Sequence, residues 1–287
     1  KETLVQKDGD VYIFLTHEEQ DVNREIKNIQ VDIAEVIQKV SEIIFEDIYP
    51  DKKFKYSSRY NFPFNQIVDD RFYRINQGNE IGVKIITPYY DSGRELTQLE
   101  FKDMSQRENS LIIKLPPDTA FLEEMEEVLK IEAYLRKNSG TASTQTMEEI
   151  KSRKRNEIGT RKERVKSLLI DALKAAEIYV NSQKLDIREK DPVERINEGL
   201  KILIESNYTK LGYITSFINS PSDINNILTE ETVQISLVDD PNKLALEELS
   251  SYILRNTERN IPVTMKTILS VFQKAPYGWN EEDIEGL

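Results

Sequence analysis

One long helical pattern, from residue 143 to residue 185, constrains this chain more than any other stretch. From Thr144 to Lys166 it is polar and charged, with Met147, Ile150, Ile158 and Val165 as sparse apolar marks. From Val165 it turns amphipathic, with Leu168, Leu169, Ala172, Leu173, Ala176, Tyr179 and Val180 at helical spacing. The second half is expected to pack on a core, and the first to project into solvent or across a partner. Gly159 lies near the junction and predicts a kink or break, since a mid-helix glycine costs about 1 kcal/mol relative to alanine.

The same helix carries the strongest charge feature. Lys151, Arg153, Lys154, Arg155, Arg161, Lys162, Arg164 and Lys166 are eight basic residues against two acidic ones, in a chain whose formal net charge is −12. These eight are the candidate site. Three readings stay open: a solvated helix paired with acidic neighbours of its own chain, a phosphate-contacting helix for nucleic acid, or a docking site for an acidic partner. No aromatic residue is interleaved, so the stretch offers no stacking platform for single strands.

Before this helix, residues 1–138 read as a mixed α/β domain. Residues 11–16 form a strand, and Thr16 opens a helix with Glu19 as its capping-box partner. Val22, Ile26, Ile29, Ile33, Val36, Val40 and Ile43 then recur at alternating spacings of four and three, predicting one helix to about Ile48. The seam reads as a coiled coil or as a helix packed on a sheet. Strands are expected around 54–60 and 62–73, with a turn at Asp69-Asp70, and at 82–89 and 110–115. Residues 91–109 read as a long polar loop. Asp118 caps a helix marked by Phe121, Leu122, Met125, Val128, Leu129 and Leu135. The strands come as a run, which favours a mixed or mostly antiparallel sheet and an α+β fold.

Residues 139–190 are the helical spine, and 191–287 read as a mostly helical domain. Asp191 caps a helix with Pro192 in its first turn. A short helix is expected at 223–228, and residues 233–238 suit a strand or a helix. Helices follow at 244–255 and 264–272, then a Pro-Tyr-Gly-Trp turn and a helix capped by Asn280. That spacing is helix-turn-helix-like and truncated. The chain opens without methionine and stops within this last helix, and we read it as a piece of a larger protein.

The chemistry is sparse. No Gly-x-x-x-x-Gly-Lys-Ser/Thr or Gly-x-Gly-x-x-Gly loop occurs, so no phosphate cradle is expected. Residues 43–47 and 235–240 imitate the strand-plus-acid half of a nucleotide site without that loop. The single histidine, His17, excludes a multi-histidine metal site and reads as a surface residue of a helix start. Carboxylates such as Glu123, Glu124, Glu126 and Glu127 gather in early helical turns, where the helix dipole favours them. No cysteine is present, which excludes disulfides and suits a cytoplasmic setting. No run of 18 apolar residues predicts a membrane span. Tyr60, Phe62, Phe64, Phe72 and Tyr73 beside Arg59, Arg71 and Arg74 suit either a sheet core with a basic rim or an RNA-stacking surface.

Several segments in order resemble the large P-loop protein of the BREX bacteriophage-exclusion systems, the BrxC/PglY family. They are residues 8–16 (DGDVYIFLT), with Glu18-Glu19-Gln20 and residues 23–26 (NREI); residues 59–65 (RYNFPFN); residues 82–88 (GVKIITP); residues 208–214 (YTKLGYI); and residues 275–279 (APYGW). The resemblance implies a far longer chain with an AAA+-type ATPase near its N-terminus, acting in cytoplasmic phage defence beside a methyltransferase and other BREX components. This segment resembles the region after the ATPase core. It lacks the phosphate-binding loop, so no family catalytic residue maps onto it. The expected role is a non-catalytic scaffold with no cofactor of its own, linking the motor to partner proteins or DNA. Self-association through helices is a further expectation. The alternative is a nucleic-acid-binding module acting through residues 151–166.

Overall fold

The computed structural model describes residues 5–8, 11–75, 78–140, 144–220, 224 and 241–287. The β-branched run at the start forms an antiparallel hairpin, β1 (Val5–Asp8) with β2 (Val11–Phe14). The second strand is shorter than expected because Thr16 turns to capping. Its hydroxyl accepts the Glu19 N–H, and the Glu19 carboxylate accepts the Thr16 N–H at 2.8 Å. That box opens α1 (His17–Lys27).

The single helix expected over 16–48 is instead two helices and a π-helical turn. The Asp32 carboxylate accepts the Ala34 N–H at 2.8 Å and starts α2 (Ile33–Glu42), so the chain breaks at 28–32. Ile33 leaves the seam and is 57% exposed. The rest of the stripe packs on α4 (Ala120–Lys137): Val22 and Ile26 cluster with Ile131, Tyr134 and Ile150. The π-helical turn Ile43–Ile48 buries Ile44, Phe45 and Ile48, which settles the apolar run at 43–47 as helical.

The strands that follow build a mixed sheet. They are β3 (Lys53–Lys55), β4 (Asn61–Val68), β5 (Arg71–Phe72), β6 (Ile81–Ile86), β7 (Ser110–Lys114), β8 (Glu177–Val180) and β9 (Gln183–Leu185). Their order is β3-β4-β6-β7-β8-β9, with β5 antiparallel on β4. The centre, β4-β6-β7, is parallel, while β8 and β9 add antiparallel. Central β6 is buried at every position, as a strand covered on both faces should be. The expected turn at Asp69-Asp70 is present, with Asp69 in the left-handed region at φ 53°. Asp69 accepts the Thr87 N–H at 2.8 Å and the Thr87 hydroxyl at 2.9 Å, tying the ends of β4 and β6. Burial raises its carboxyl to about 6 despite those bonds. Lys84, 2% exposed on β6, is held by Asp70 at 2.7 Å and Glu108 at 2.8 Å.

Two expectations fail here, for one reason. The loop expected over 91–109 contains α3 (Gln98–Arg107), opened by a Thr97–Glu100 capping box. The spine helix expected to reach 185 ends earlier: α5 runs Gln145–Ala175, and the chain then turns into β8 and β9. Asn181 and Ser182, at φ 45° and 64°, make the hairpin turn. Short apolar runs do not declare their period, and here tertiary contacts decided. Ile86, Ile112 and Tyr179 meet Leu96, Phe101 and Met104 of the α3 region in one cluster, and Ser182 bonds back to Ser105 and Gln106. Gly159 sits inside α5 without breaking it. At α4, Thr119 takes the cap position, while Asp118 accepts the Ala120 N–H at 2.9 Å.

The chain divides into two compact units: Lys1–Phe54 with Pro63–Gly199, and Lys55–Phe62 with Leu200–Leu287. Helix α5 and the β8–β9 hairpin fall within the first. Helix α6 (Pro192–Asn207) starts as expected, with Asp191 accepting the Val193 N–H at 2.9 Å. In the second unit lie α7 (Lys243–Glu258), α8 (Met265–Phe272) and α9 (Glu281–Glu285). Thr264 caps α8 as expected, with Thr267 completing the box. Trp279 stacks on Phe272 at 5.2 Å and donates its indole N–H to the Lys210 carbonyl at 3.0 Å. The readings at 233–238 and, apart from Ile224, at 223–228 lie outside the described residues.

Two glycines give opposite expectations. A Cβ on Gly199 would lie 2.5 Å from Leu111 Cδ1 and 3.1 Å from Cδ2, and Leu111 is fully buried. Overpacking of about 1–3 kcal/mol there exceeds the helical gain of about 1 kcal/mol, so Gly199→Ala should lower stability in urea unfolding. A Cβ on Gly159 meets nothing within 4 Å. Gly159→Ala should therefore raise stability by about 0.5–1 kcal/mol in the same assay.

Candidate interaction site on the basic helix

The eight basic residues lie on α5, whose Ile150, Val165, Leu169 and Leu173 are buried. Residues three and four apart share a helical face, so the exposed Ser152, Asn156, Gly159, Thr160, Glu163 and Ser167 form its outer stripe. That stripe carries one charge, a negative one. The basic residues flank the buried face instead, within reach of neighbouring helices.

Six of the eight meet acidic residues of the same unit. Arg161 pairs with Glu124 of α4 and, at 2.9 Å, with Glu157. Arg164 reaches the other Glu124 oxygen at 3.1 Å, and Lys162 reaches Glu132 at 2.8 Å. Arg153 pairs at 2.5 Å with Glu19 of α1, the carboxylate that also closes the α1 capping box. Lys154 meets Glu157 at 2.7 Å. Lys151, 3% exposed, donates to Glu148 at 3.1 Å and to the carbonyl of Asn138 at 2.9 Å, where it neutralises the carbonyl end of α4. The Arg155 and Lys166 side chains have no ion pair or hydrogen bond among the described residues. Arg153 and Arg164 keep side chains 59% and 67% exposed.

Of the counter-ions, Glu124 belongs to the early-turn acids of α4 that the sequence shows as a cluster; Glu132 lies later in α4, Glu19 in α1, and Glu148 and Glu157 in α5 itself. Glu124 lies far from Arg161 along the chain, and only the antiparallel packing of α4 on α5 brings them together. Charge spacing on one helix carries no signal for such a pairing; the acidic cluster one helix upstream was the available hint.

The aromatic set does not assemble as one surface. Tyr60, Phe62 and Phe64 are buried, while Phe72 is 39% exposed. Phe64 packs on Tyr49 at 5.9 Å, and Tyr73 on Phe45 at 5.6 Å with Arg74 over its ring. His17 is exposed. Among the described residues no group of three His, Cys, Asp or Glu is placed to hold a metal ion. No described helix is long and apolar enough to cross a membrane.

The charge ladder has a pH signature. Burial pushes the Glu157 carboxyl up, but Lys154 and Arg161 outweigh it and hold it below its ordinary value of 4.5. A depressed carboxylate contributes stability above its unfolded value and loses it as pH falls through the folded one. The stability difference between wild type and Glu157→Gln should therefore be full at pH 7 and shrink as pH drops below about 4.5. Chemical denaturation across that range measures it.

Residues 29–203 match the family model described as the fourth domain of the BREX ATP-binding protein BrxC, with a six-stranded β-sheet. The β3-β4-β6-β7-β8-β9 path has six strands, to which β5 is appended. Residues 210–287 match the winged helix-turn-helix domain of BrxC. No solved structure matches the chain. With the first match alone covering more than half of its residues, in a fold whose sheet has the described strand path, the chain belongs to the BrxC family of BREX ATP-binding proteins.

Proposed function

We propose that this region is a non-catalytic scaffold of a BREX phage-defence ATPase, joining the ATP-binding part to partner proteins of the same system or to DNA. We assign it no catalysis and no cofactor. The observation that carries the reading is the neutralisation of the basic helix from within. Six of its eight cations are engaged by carboxylates of the same unit, and its outer stripe is almost uncharged. A helix built to hold phosphates would present its cations outward and leave them free to replace condensed counter-ions. Here the same groups hold α1, α4 and α5 in register.

In the full-length protein, removal of residues 29–287 should abolish phage restriction while leaving ATP hydrolysis by the remaining chain measurable. Intact restriction after the deletion would refute the scaffold reading.

The second reading, a nucleic-acid module acting through residues 151–166, is favoured by Arg155 and Lys166 and by the exposed heads of Arg153 and Arg164. Duplex and single-stranded DNA titrated at about 50 and 200 mM salt separate the two. The scaffold reading expects no salt-dependent binding by this helix. Steep salt dependence that disappears when Arg153, Lys154, Arg155 and Arg161 become Ala would install the second reading. Binding that survives those substitutions would direct attention to the winged helix-turn-helix unit.

A further inference from the structure

The winged helix-turn-helix match begins at residue 210, but the compact unit holding it also contains Lys55–Phe62, which is the end of β3, the connection to β4 and the first residues of β4. This short segment is built as a wedge. The Tyr56 and Ser57 N–H groups both donate to the Tyr60 carbonyl, at 2.9 and 3.2 Å, and the Ser57 hydroxyl accepts the Arg59 and Tyr60 N–H groups. The turn so closed puts Tyr60 and Phe62 into the unit's interior. Phe62 packs on Tyr208 at 4.6 Å, and Tyr60 meets Phe217 edge-on at 6.3 Å.

Arg59 joins the wedge to the far end of the unit. Its guanidinium donates to the Ile218 carbonyl at 2.7 Å and to Asn219, and lies over the Phe217 ring at 4.7 Å. It also stands 3.8 Å from Asp283 of α9, whose side chain is 1% exposed. The Asp283 carboxylate accepts the Ile218 N–H at 2.9 Å, and among the described residues Arg59 is its only ion-pair partner. A carboxylate this buried is tolerated only with compensating charge and hydrogen bonds, and removing the cation leaves it stranded. The Asn280 amide of the α9 cap reaches the Arg59 carbonyl at 3.5 Å, so the backbone of the wedge meets the same helix.

We infer that residues 55–62 are an integral part of the winged helix-turn-helix unit, with Arg59 as the keystone that compensates Asp283. The unit is a composite of distant segments, and its order is conditional on a loop that leaves and re-enters the sheet through β3 and β4. Its folding boundary is therefore not the family-model boundary at residue 210.

Hydrogen exchange on the whole chain tests this with three proteins: wild type, Arg59→Ala, and Arg59→Ala with Asp283→Asn. The single variant should exchange amides of α8 and α9 at least tenfold faster, with β6 and β7 unchanged. The double variant should recover part of that protection, because asparagine still accepts the Ile218 N–H without a buried charge. Unchanged exchange in the single variant would overturn the inference. So would an acceleration spread equally through β6 and β7, or a double variant no slower than the single one.

Discussion

The antiparallel packing of α4 on α5 is the constraint on which the first unit rests. Glu124 accepts Arg161 and Arg164, Glu132 takes Lys162, and Lys151 reaches the last turn of α4. Fully exposed pairs of this kind contribute about 0.2–1 kcal/mol each. Several here have one half-buried partner, with the Glu124 and Glu157 side chains 15% and 19% exposed. For such pairs the loss of one member is costly because the other is left uncompensated. The ladder therefore fixes register and partner choice, while apolar burial by Leu122, Val128, Ile150 and Val165 supplies the bulk of the stability.

That division of labour explains how a strongly basic helix fits an acidic protein. Lys151, Lys154 and Arg161 find carboxylates on α5 itself, while Arg153, Arg161, Lys162 and Arg164 meet theirs on other helices only once those helices fold together. The acidic early turns of α4 also suit its helix dipole, so each charge serves locally before it serves across the hairpin. The outer face of α5 is left mostly to small polar residues, with Glu163 as its one charge.

The second unit works differently. Beside aliphatic residues such as Leu203, Ile204 and Ile268, it holds an aromatic cluster of Phe272, Tyr277 and Trp279 and the pair Tyr208 and Phe62, with Tyr60 from the wedge. Ring contacts at 4.5–5.2 Å give it a few large, shape-specific contacts. Lys210 links several of them, pairing with Glu248 at 2.5 Å while its nitrogen lies over the Tyr277 ring.

Much of this was legible in the residues. The buried strand at 81–86, the strand at 110–114, the Asp69-Asp70 turn, the Asp191 cap and the Thr264 cap all follow from local chemistry that acts over a few residues. The α+β class and the eight-residue basic set were equally plain. A resemblance carried by short ordered segments pointed to BREX, and the family match agrees. Less legible were the break at 28–32, helix α3 and the β8–β9 hairpin. Thr97 and Glu100 did announce α3, but its few apolar residues gave too weak a period to outweigh the polar surroundings. Tyr179 and Val180 fit a helical repeat as well as a strand, and the free edge of β7 decided between them.

By itself the sequence determined several capped helix starts and the central buried strands, which residues are apolar, and that a positive stretch lies within an acidic chain. Each of these depends on neighbours a few positions away. The tertiary structure alone decided what the charges do and where the second unit ends. Glu124 meets Arg161, and Arg59 meets Asp283, only after distant segments pack. Coulomb attraction and burial act through space, so pairings made by folding leave no fixed spacing in the chain to be read.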